Sequence, residues 1–551
     1  MIKLGVRCSD DTRHEDGSEV EDDYPGVGSA VARLMRRGLH SKRRSFVFPS
    51  GRTSAMLAAS TLLGIVPGAL LVPSTSYAST QALTFTGYGV GSGNGASQFG
   101  EAGYASQGHL TYQQILAHFY GGTTLSTIGD RLITVWLTAG TGQPVTVYDP
   151  QGLVVNNITV PSNTPIRVTD TGGAITVDQG VGAVGCSAPA AWSPLTTVTN
   201  ALNISPQNLP SLGQMVNETS SQALAWCKPG GSVESVRGYL GVTTNQQGQQ
   251  VLTNQLGLES YVRGVIGNEM PAVWGTLGSA GPQGQAWGFQ ALEAQAVEAR
   301  TYALAVGNSY GFAQICDSDY CQVYGGFNTG QSSQEQALID AAQVDTLGQI
   351  LEQSSGAPAF TQYSASDGGY TAGGDFPAVP DPYDAGCYAS ICNPWDPWTQ
   401  TVSVSVLQQA FNQVGTVQGI NVLQRSGNGT DGGRILSIQV VGSAGSSTVP
   451  GAEFASMLGL NSDWFSVSGP LSINNDGGAT PPASPGQSAT SGIIVASSDG
   501  GTAAEDGATD LGSTYTYGIT GLSGTRPLNA RRVGNTRLCG PPGAGVGLSG
   551  S

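Results

Sequence analysis

The period of the apolar positions changes several times along the chain. From 131 to 185 they alternate, in the runs RLITVWLTA, PVTVYD, GLVVNNITV, PIRVTD and AITVDQ, with turns such as Ala-Gly-Thr-Gly and Thr-Gly-Gly between them. β-Branched residues at every second position predict short strands, so 131–185 reads as a small all-β unit. Alternation resumes at Ser232, where Tyr239–Val242 and Gln250–Leu252 predict a hairpin, and the strand pattern runs on through GLESYV. Helical spacing appears first at Tyr112, Ile115, Leu116 and Phe119, stopped by Gly121-Gly122, which predicts a helix over 111–120. The clearest helix is 287–306, where Leu292, Ala296, Ala299, Ala303 and Val306 form one stripe. Another is expected over 334–344. Residues 346–366 read as two strands around a Ser-Gly-Ala-Pro turn, and 401–466 alternate helix (VSVLQQAFNQV) with strand (RILSIQVVG). The mixture is α+β.

The flanks carry neither period. Residues 1–34 are polar and acidic and are expected to be disordered. Two basic clusters, Met35-Arg36-Arg37 and Lys42-Arg43-Arg44, precede an apolar run from Ala55 to Val72 that ends at Ser76-Tyr77-Ala78. This order predicts a secretory signal peptide within 1–78, with Met35 as an alternative start. A membrane anchor is the alternative, although Gly64, Pro67 and Gly68 interrupt a run barely long enough to span. Residues 79–130 read as a Gly-rich loop followed by the 111–120 helix. The loop lacks the Gly-Lys-Ser/Thr ending of a phosphate loop. The Pro/Asn/Ser-rich stretch 186–231 reads as a linker. From Gly469 the composition turns to Pro, Ser, Gly and Ala, so 469–551 is expected to be a low-complexity tail, with a single Gly-rich β repeat at 491–523 that cannot bury its faces alone.

A net charge of −16 disfavours nucleic acid, which needs basic patches. Eighty-one glycines and only 11% charged residues suit a loop- and strand-rich extracellular protein. Of eight cysteines, Cys8 precedes the expected cleavage site and Cys539 lies in the atypical C-terminal stretch. The other six allow three bridges, of which 186–227, 316–321 and 387–392 are the simplest. Zinc at Cys316 and Cys321 is the alternative, but it would need two further ligands, and His14, His40, His109 and His118 all lie far upstream.

Candidate chemistry centres on Glu269, in an Asn-Glu-Met-Pro turn among Val265, Ile266, Met270 and Trp274. Apolar surroundings raise a carboxyl's pKa and keep it protonated, as a general acid requires. Arg300 lies at the far end of the Ala-rich helix, where it reads either as a partly buried structural charge or as a group for a substrate carboxylate. Gln322, Tyr363, Ser364, Gly368, Gly369 and Thr371 offer hydroxyl, amide and backbone groups suited to lining a sugar-binding groove.

The segment Tyr261-Val262-Arg263-Gly264-Val265-Ile266-Gly267-Asn268-Glu269-Met270-Pro271, followed by Leu292-Glu293-Ala294-Gln295-Ala296-Val297-Glu298-Ala299-Arg300-Thr301-Tyr302, resembles the stage II sporulation protein D/LytB (SpoIID/LytB) family. Cys321-Gln322-Val323-Tyr324, Thr346–Leu351, Tyr363-Ser364 and Gly368-Gly369-Tyr370-Thr371 agree with it, and the glycines near Gly91 resemble the family's Gly-His-Gly-x-Gly-Met-Ser-Gln block. The resemblance covers about 85–125 and 232–466, placing 79–130 and 232–468 in one SpoIID-like domain. The family's His and Met in the Gly-rich block are Ser92 and Ala96 here, and the Glu that often follows Gly-Gly-x-Thr is Ala372. The resemblance implies a secreted or wall-associated protein acting on peptidoglycan. It would be either a lytic transglycosylase cutting denuded glycan strands with Glu269, without a cofactor or metal, or a non-catalytic wall-binding protein that enhances an amidase.

Overall fold

The computed structural model describes residues 81–479, apart from 328–329 and 389–390, and the short strand Ile494–Val495. The expected signal peptide and most of the tail lie outside the described residues. Among the described helices none is long and apolar enough to cross a membrane.

Seven α-helices are described: α1 (Gln98–Ser106), α2 (Tyr112–Phe119), α3 (Leu258–Glu269), α4 (Phe289–Ala305), α5 (Ser333–Asp345), α6 (Val404–Ala410) and α7 (Gly451–Leu458). The 111–120 helix forms as α2, with Thr111 and Gln114 closing a capping box. Helix α4 departs from the predicted stripe, because fifteen of its seventeen residues are buried. It is a central helix enclosed by α1, α2, α3 and α5, and its alanines let four neighbours approach.

Helix α1 arises inside the stretch read as a Gly-rich loop. The side chain of Ser97 caps it, accepting from the Gly100 amide at 3.0 Å. Its small residues are demanded by neighbours: a Cβ on Gly100 would sit 1.8 Å from Asp381 Oδ2. Upstream, Gly93 and Gly95 have φ of +69° and +67°, where a side chain is strained, and any Cβ would meet the Arg434 guanidinium or the Gln362 carbonyl.

Two large sheets lie within 132–316. The seven-stranded sheet runs, edge to edge, Ile315–Cys316, Leu132–Leu137, Gln250–Gly257, Tyr239–Thr244, Ala201–Pro206, Leu153–Val155, Ile158–Val160. The six-stranded sheet runs Ala191–Val198, Ile175–Val181, Ile166–Asp170, Val145–Tyr148, Leu224–Cys227, Val233–Val236. The expected hairpin is present, with Tyr239 opposite Gln255. The strands of 131–185 are therefore interleaved with those of 232–257, and Val145, Val155, Val168 and Trp226 share one apolar core with Leu258, Leu292 and Ala296. The stretch 186–231 is not merely a connection: it contributes Ala191–Val198, Ala201–Pro206 and Leu224–Cys227. Ala201–Pro206 alternates exposed and buried residues, Ala191–Val198 has no fully buried residue, and Leu224–Cys227 is apolar and mostly buried.

A second core gathers Leu83, Phe85, Leu407, Phe411, Ile438, Phe454 and Phe465. Strand Ala82–Gly87 runs between Trp398–Ser403 and Phe465–Ser468, antiparallel to both. Ordered chain continues past Gly469, since Ser472–Asn474 and Gly478–Ala479 pair with Val417–Arg425.

Three disulfides join Cys186–Cys227, Cys316–Cys321 and Cys387–Cys392. The first ties the start of the 186–231 stretch to its own strand Leu224–Cys227 across a separation of 41 residues. Substituting serine for both Cys186 and Cys227 is expected to lower unfolding free energy by about 2–4 kcal/mol, measured by denaturant titration under non-reducing conditions.

Candidate functional site

Strand Gln250–Gly257 hands directly to α3, with no intervening loop, and α3 stops at Glu269. The stop is dictated locally. Met270 precedes Pro271, which disfavours helical backbone, and Met270 is extended at φ −115°, ψ 133°. Glu269 is thus the last residue of a helix rather than part of an isolated turn. Glu269 is 1% exposed, and Tyr261, Val265 and Met270 near it in sequence are fully buried as well.

One carboxylate oxygen, Oε1, accepts from the backbone N–H of Val323, and Oε2 has no hydrogen-bond partner. Burial pushes the carboxyl up to about 8, against the lowering effects of the Val323 amide and the Tyr363 hydroxyl; Asp319 adds a small upward push. The group is therefore mainly protonated at neutral pH.

A chain of polar groups runs up to this carboxyl. Tyr261 Oη donates to Gln322 Oε1 at 2.8 Å, and Gln322 Nε2 donates to Tyr363 Oη at 2.9 Å. Tyr363 lies beside the carboxyl, where its hydroxyl favours the ionised form. Glu269, Gln322 and Tyr363 come together from α3, the loop after the Cys316–Cys321 disulfide, and strand Tyr363–Ser364. Tyr261 and Asp319 complete the surroundings; neither was among the predicted site residues, although Tyr261 opens the segment that resembles the family. The Tyr261 position, two turns before Glu269 on the same helix, was the available signal.

The other predicted residues lie elsewhere. Ser364 is buried on the strand that pairs in parallel with Ala96–Ser97, its Oγ without a partner. Gly368 and Gly369 form a left-handed turn at φ +85° and +95°; their amides bond Asp384 Oδ2 and Asp367 Oδ1. Thr371 Oγ1 accepts from the Val379 amide at 2.8 Å. Arg300 is not at the Glu269 carboxyl at all. It is fully buried and forms a bidentate pair with Glu259, Nε to Oε1 and Nη2 to Oε2, both 2.8 Å. Glu259 lies ten residues before Glu269 on α3, about 15 Å away along the helix axis. The remaining Arg300 nitrogen, Nη1, bonds the carbonyls of Ala296 and Gln349. A long cation inside an all-buried helix needs an internal partner, and that requirement displaces the substrate-facing role expected from its sequence position.

The sulfurs of Cys316 and Cys321 are joined 2.12 Å apart, which favours the disulfide over thiolate ligation of zinc.

The SpoIID family profile, described as stage II sporulation protein, matches residues 246–352. That span contains Glu269, Gln322, the whole of α3, α4 and α5, and strand Gln349–Glu352. The chain carries a SpoIID domain. Outside the SpoIID match, Tyr363 and the 366–371 turn come from the following segment. Two relatives share part of the chain. An uncharacterized protein of Brachyspira hyodysenteriae is 32% identical over 163 residues, 28% of this chain and 39% of that protein. The amidase enhancer of Bacillus subtilis is 33% identical over 110 residues, 20% of this chain and 12% of its own length. The chain therefore spans well under half of either relative.

Changing Tyr363 to Phe tests the polar chain. The lost hydroxyl leaves Gln322 Nε2 without its acceptor, so stability is expected to fall by about 1–3 kcal/mol in denaturant titrations. The carboxyl of Glu269 also loses a group that favours its ionised form, so its titration, followed by carboxyl-labelled NMR, is expected to move further up.

Proposed function

We propose that this is an exported cell-wall protein whose SpoIID domain cleaves denuded glycan strands of peptidoglycan as a lytic transglycosylase, with Glu269 as the single acid/base. The supporting observation is a carboxyl held protonated near neutral pH with one oxygen, Oε2, uncommitted. In this reaction the Glu269 proton passes to the glycosidic oxygen as the C1–O bond breaks. The resulting carboxylate takes the proton of the muramic acid C6 hydroxyl while O6 bonds to C1, closing a 1,6-anhydro ring. No water is consumed, and one carboxyl serves both steps, unlike the paired carboxylates of glycoside hydrolases. The amide of Val323 would steady the carboxylate between the two steps. Three disulfides suit an oxidising, extracellular setting.

A second reading has a specific observation behind it. Glu269 is enclosed, and a sugar can reach Oε2 only if the residues over it give way. This favours a non-catalytic wall-binding or amidase-enhancing role, in line with the amidase enhancer of Bacillus subtilis. The two readings part on one assay: purified chain is incubated with denuded glycan strands and the products are weighed by mass spectrometry. Products bearing 1,6-anhydro ends support cleavage. Intact strands, together with faster digestion of whole wall by an added amidase, support the enhancer.

A further inference from the structure

Three aspartates unconnected with Glu269 meet in the interior: Asp367, Asp381 and Asp384, none of them exposed. One carboxylate oxygen from each lies within 4.8 Å of the others. They come from the 366–369 turn and from the loop that follows Val379, and they face the start of α1.

The donors around them leave a gap. Asp384 is well served: Ser97 Oγ donates to Oδ1, and Ser366 Oγ at 2.6 Å and the Gly368 amide at 2.9 Å donate to Oδ2. The amide of Gly369 donates to Asp367 Oδ1 at 2.7 Å, and that of Tyr383 to Asp381 Oδ1 at 3.1 Å. The second oxygens of Asp367 and Asp381 are both buried without a donor from any residue outside the cluster, and the two carboxyls lie within hydrogen-bond reach of each other. The nearby cation does not fill the gap. Arg434 gives Nη2 to the backbone carbonyl of Asp367 and Nη1 to Asp463. On the other side, Glu101 of α1 is buried; burial first and Glu298 next push its carboxyl up, with Asp381 a smaller contribution. Gly100 leaves the space that Asp381 Oδ2 enters.

We propose that Asp367, Asp381 and Asp384 form a calcium site. The oxygen-only donor set selects a hard cation, and calcium–oxygen bonds of about 2.3–2.6 Å let one ion bridge oxygens up to roughly 5 Å apart. Magnesium is disfavoured, because its shorter bonds span less and it gives up its waters reluctantly, whereas this site is closed to solvent. Desolvated carboxylates repel one another strongly, and a divalent ion turns that repulsion into attraction. The ion would clamp the 366–369 turn and the 381–384 loop to the Ser97 end of α1. Strand Tyr363–Ser364, which carries the tyrosine beside Glu269, ends two residues before that turn. The role is structural and stands whether or not the domain cuts glycan.

The test uses the full chain stripped with a chelator and then dialysed. Calorimetric titration with calcium chloride is expected to show one saturable site, in the range of about 10⁻⁴ to 10⁻³ M used by extracellular modules, and the melting temperature is expected to rise with calcium but not with equal magnesium. Asp367→Asn and Asp381→Asn, made separately, are each expected to abolish both responses. The rival arrangement is an acid pair sharing one proton. It predicts no saturable calcium binding by the wild type and unchanged or raised stability for Asp381→Asn. Either result overturns the proposal, as does calcium binding that survives both substitutions. The wild-type titration decides the matter even if a variant fails to fold.

Discussion

Glu269→Gln is expected to leave the fold intact and to remove any glycan cleavage, by at least the factor of about 10²–10⁴ that a general acid contributes. The amide is close in shape, and its oxygen can still accept from the Val323 N–H, so the variant keeps the one hydrogen bond that Oε1 makes. What it loses is the transferable proton at Oε2. Mass spectrometry of digested glycan strands reads the loss as missing 1,6-anhydro ends. Full activity in the variant would remove Glu269 from the chemistry even if the chain is an enzyme. The wild type should also lose activity as pH climbs through about 8, where the acid form disappears. Stability gives a second readout that does not depend on turnover. The unfolded chain releases this proton near 4.5 and the folded chain near 8, so the folded state binds more protons between those values. Wild-type stability from this group is full below the lower value and falls as pH rises towards the upper one. Glutamine does not titrate. The melting-temperature difference in favour of the variant should therefore widen from about pH 4.5 to about pH 8 and then level off.

Arg300→Met is expected to be the most damaging of the single changes. It leaves Glu259 as an uncompensated charge in a fully enclosed position, although Gln343 Nε2 and the Gly348 amide still donate to it. Breaking a buried pair from one side costs about 3–5 kcal/mol, a large share of a typical domain's stability. Denaturant titration should show that loss, or the variant should fail to accumulate as soluble protein. The double change Glu259→Gln with Arg300→Met removes both charges and should recover most of it. A variant that folds normally and only weakens glycan binding would instead restore the substrate-contact role suggested by the sequence.

The amino-acid pattern revealed α4 and α2, because Leu292, Ala296 and Ala299, and likewise Ile115 and Phe119, repeat at helical spacing, but not α3, which ends at Glu269 and whose start reads as continued strand. It concealed α1, where Gly100 and Gly103 lower intrinsic helix propensity and only the Ser97 cap and packing against α4 compensate. Residues 186–231 looked like a connection because Ala191–Val198 has no fully buried position and Ala201–Pro206 buries only one face, so proline, serine and asparagine are tolerated there. Around Glu269, the resemblance to a family supplied Gln322 and Tyr363, which no local period would have linked to a residue on α3. The partner of Arg300 was out of reach for a plain reason: Glu259 lies 41 residues away in sequence, and pairing at that distance is decided by tertiary packing. The three aspartates were unreadable for the same reason, being joined by a loop whose path no residue pattern specifies.

Strand Ala82–Gly87 has a consequence for the order in which the molecule is built. It is the first strand of the described chain to leave the ribosome, yet both its neighbours, Trp398–Ser403 and Phe465–Ser468, are made more than three hundred residues later. Until then Leu83 and Phe85 have no core to enter. The same wait applies to Ala96–Ser97, whose partner is Tyr363–Ser364. Contacts of such long sequence separation make closure a late and slow event, because the loop must be brought together before any contact rewards it. The domain is thus assembled only after most of its length is available.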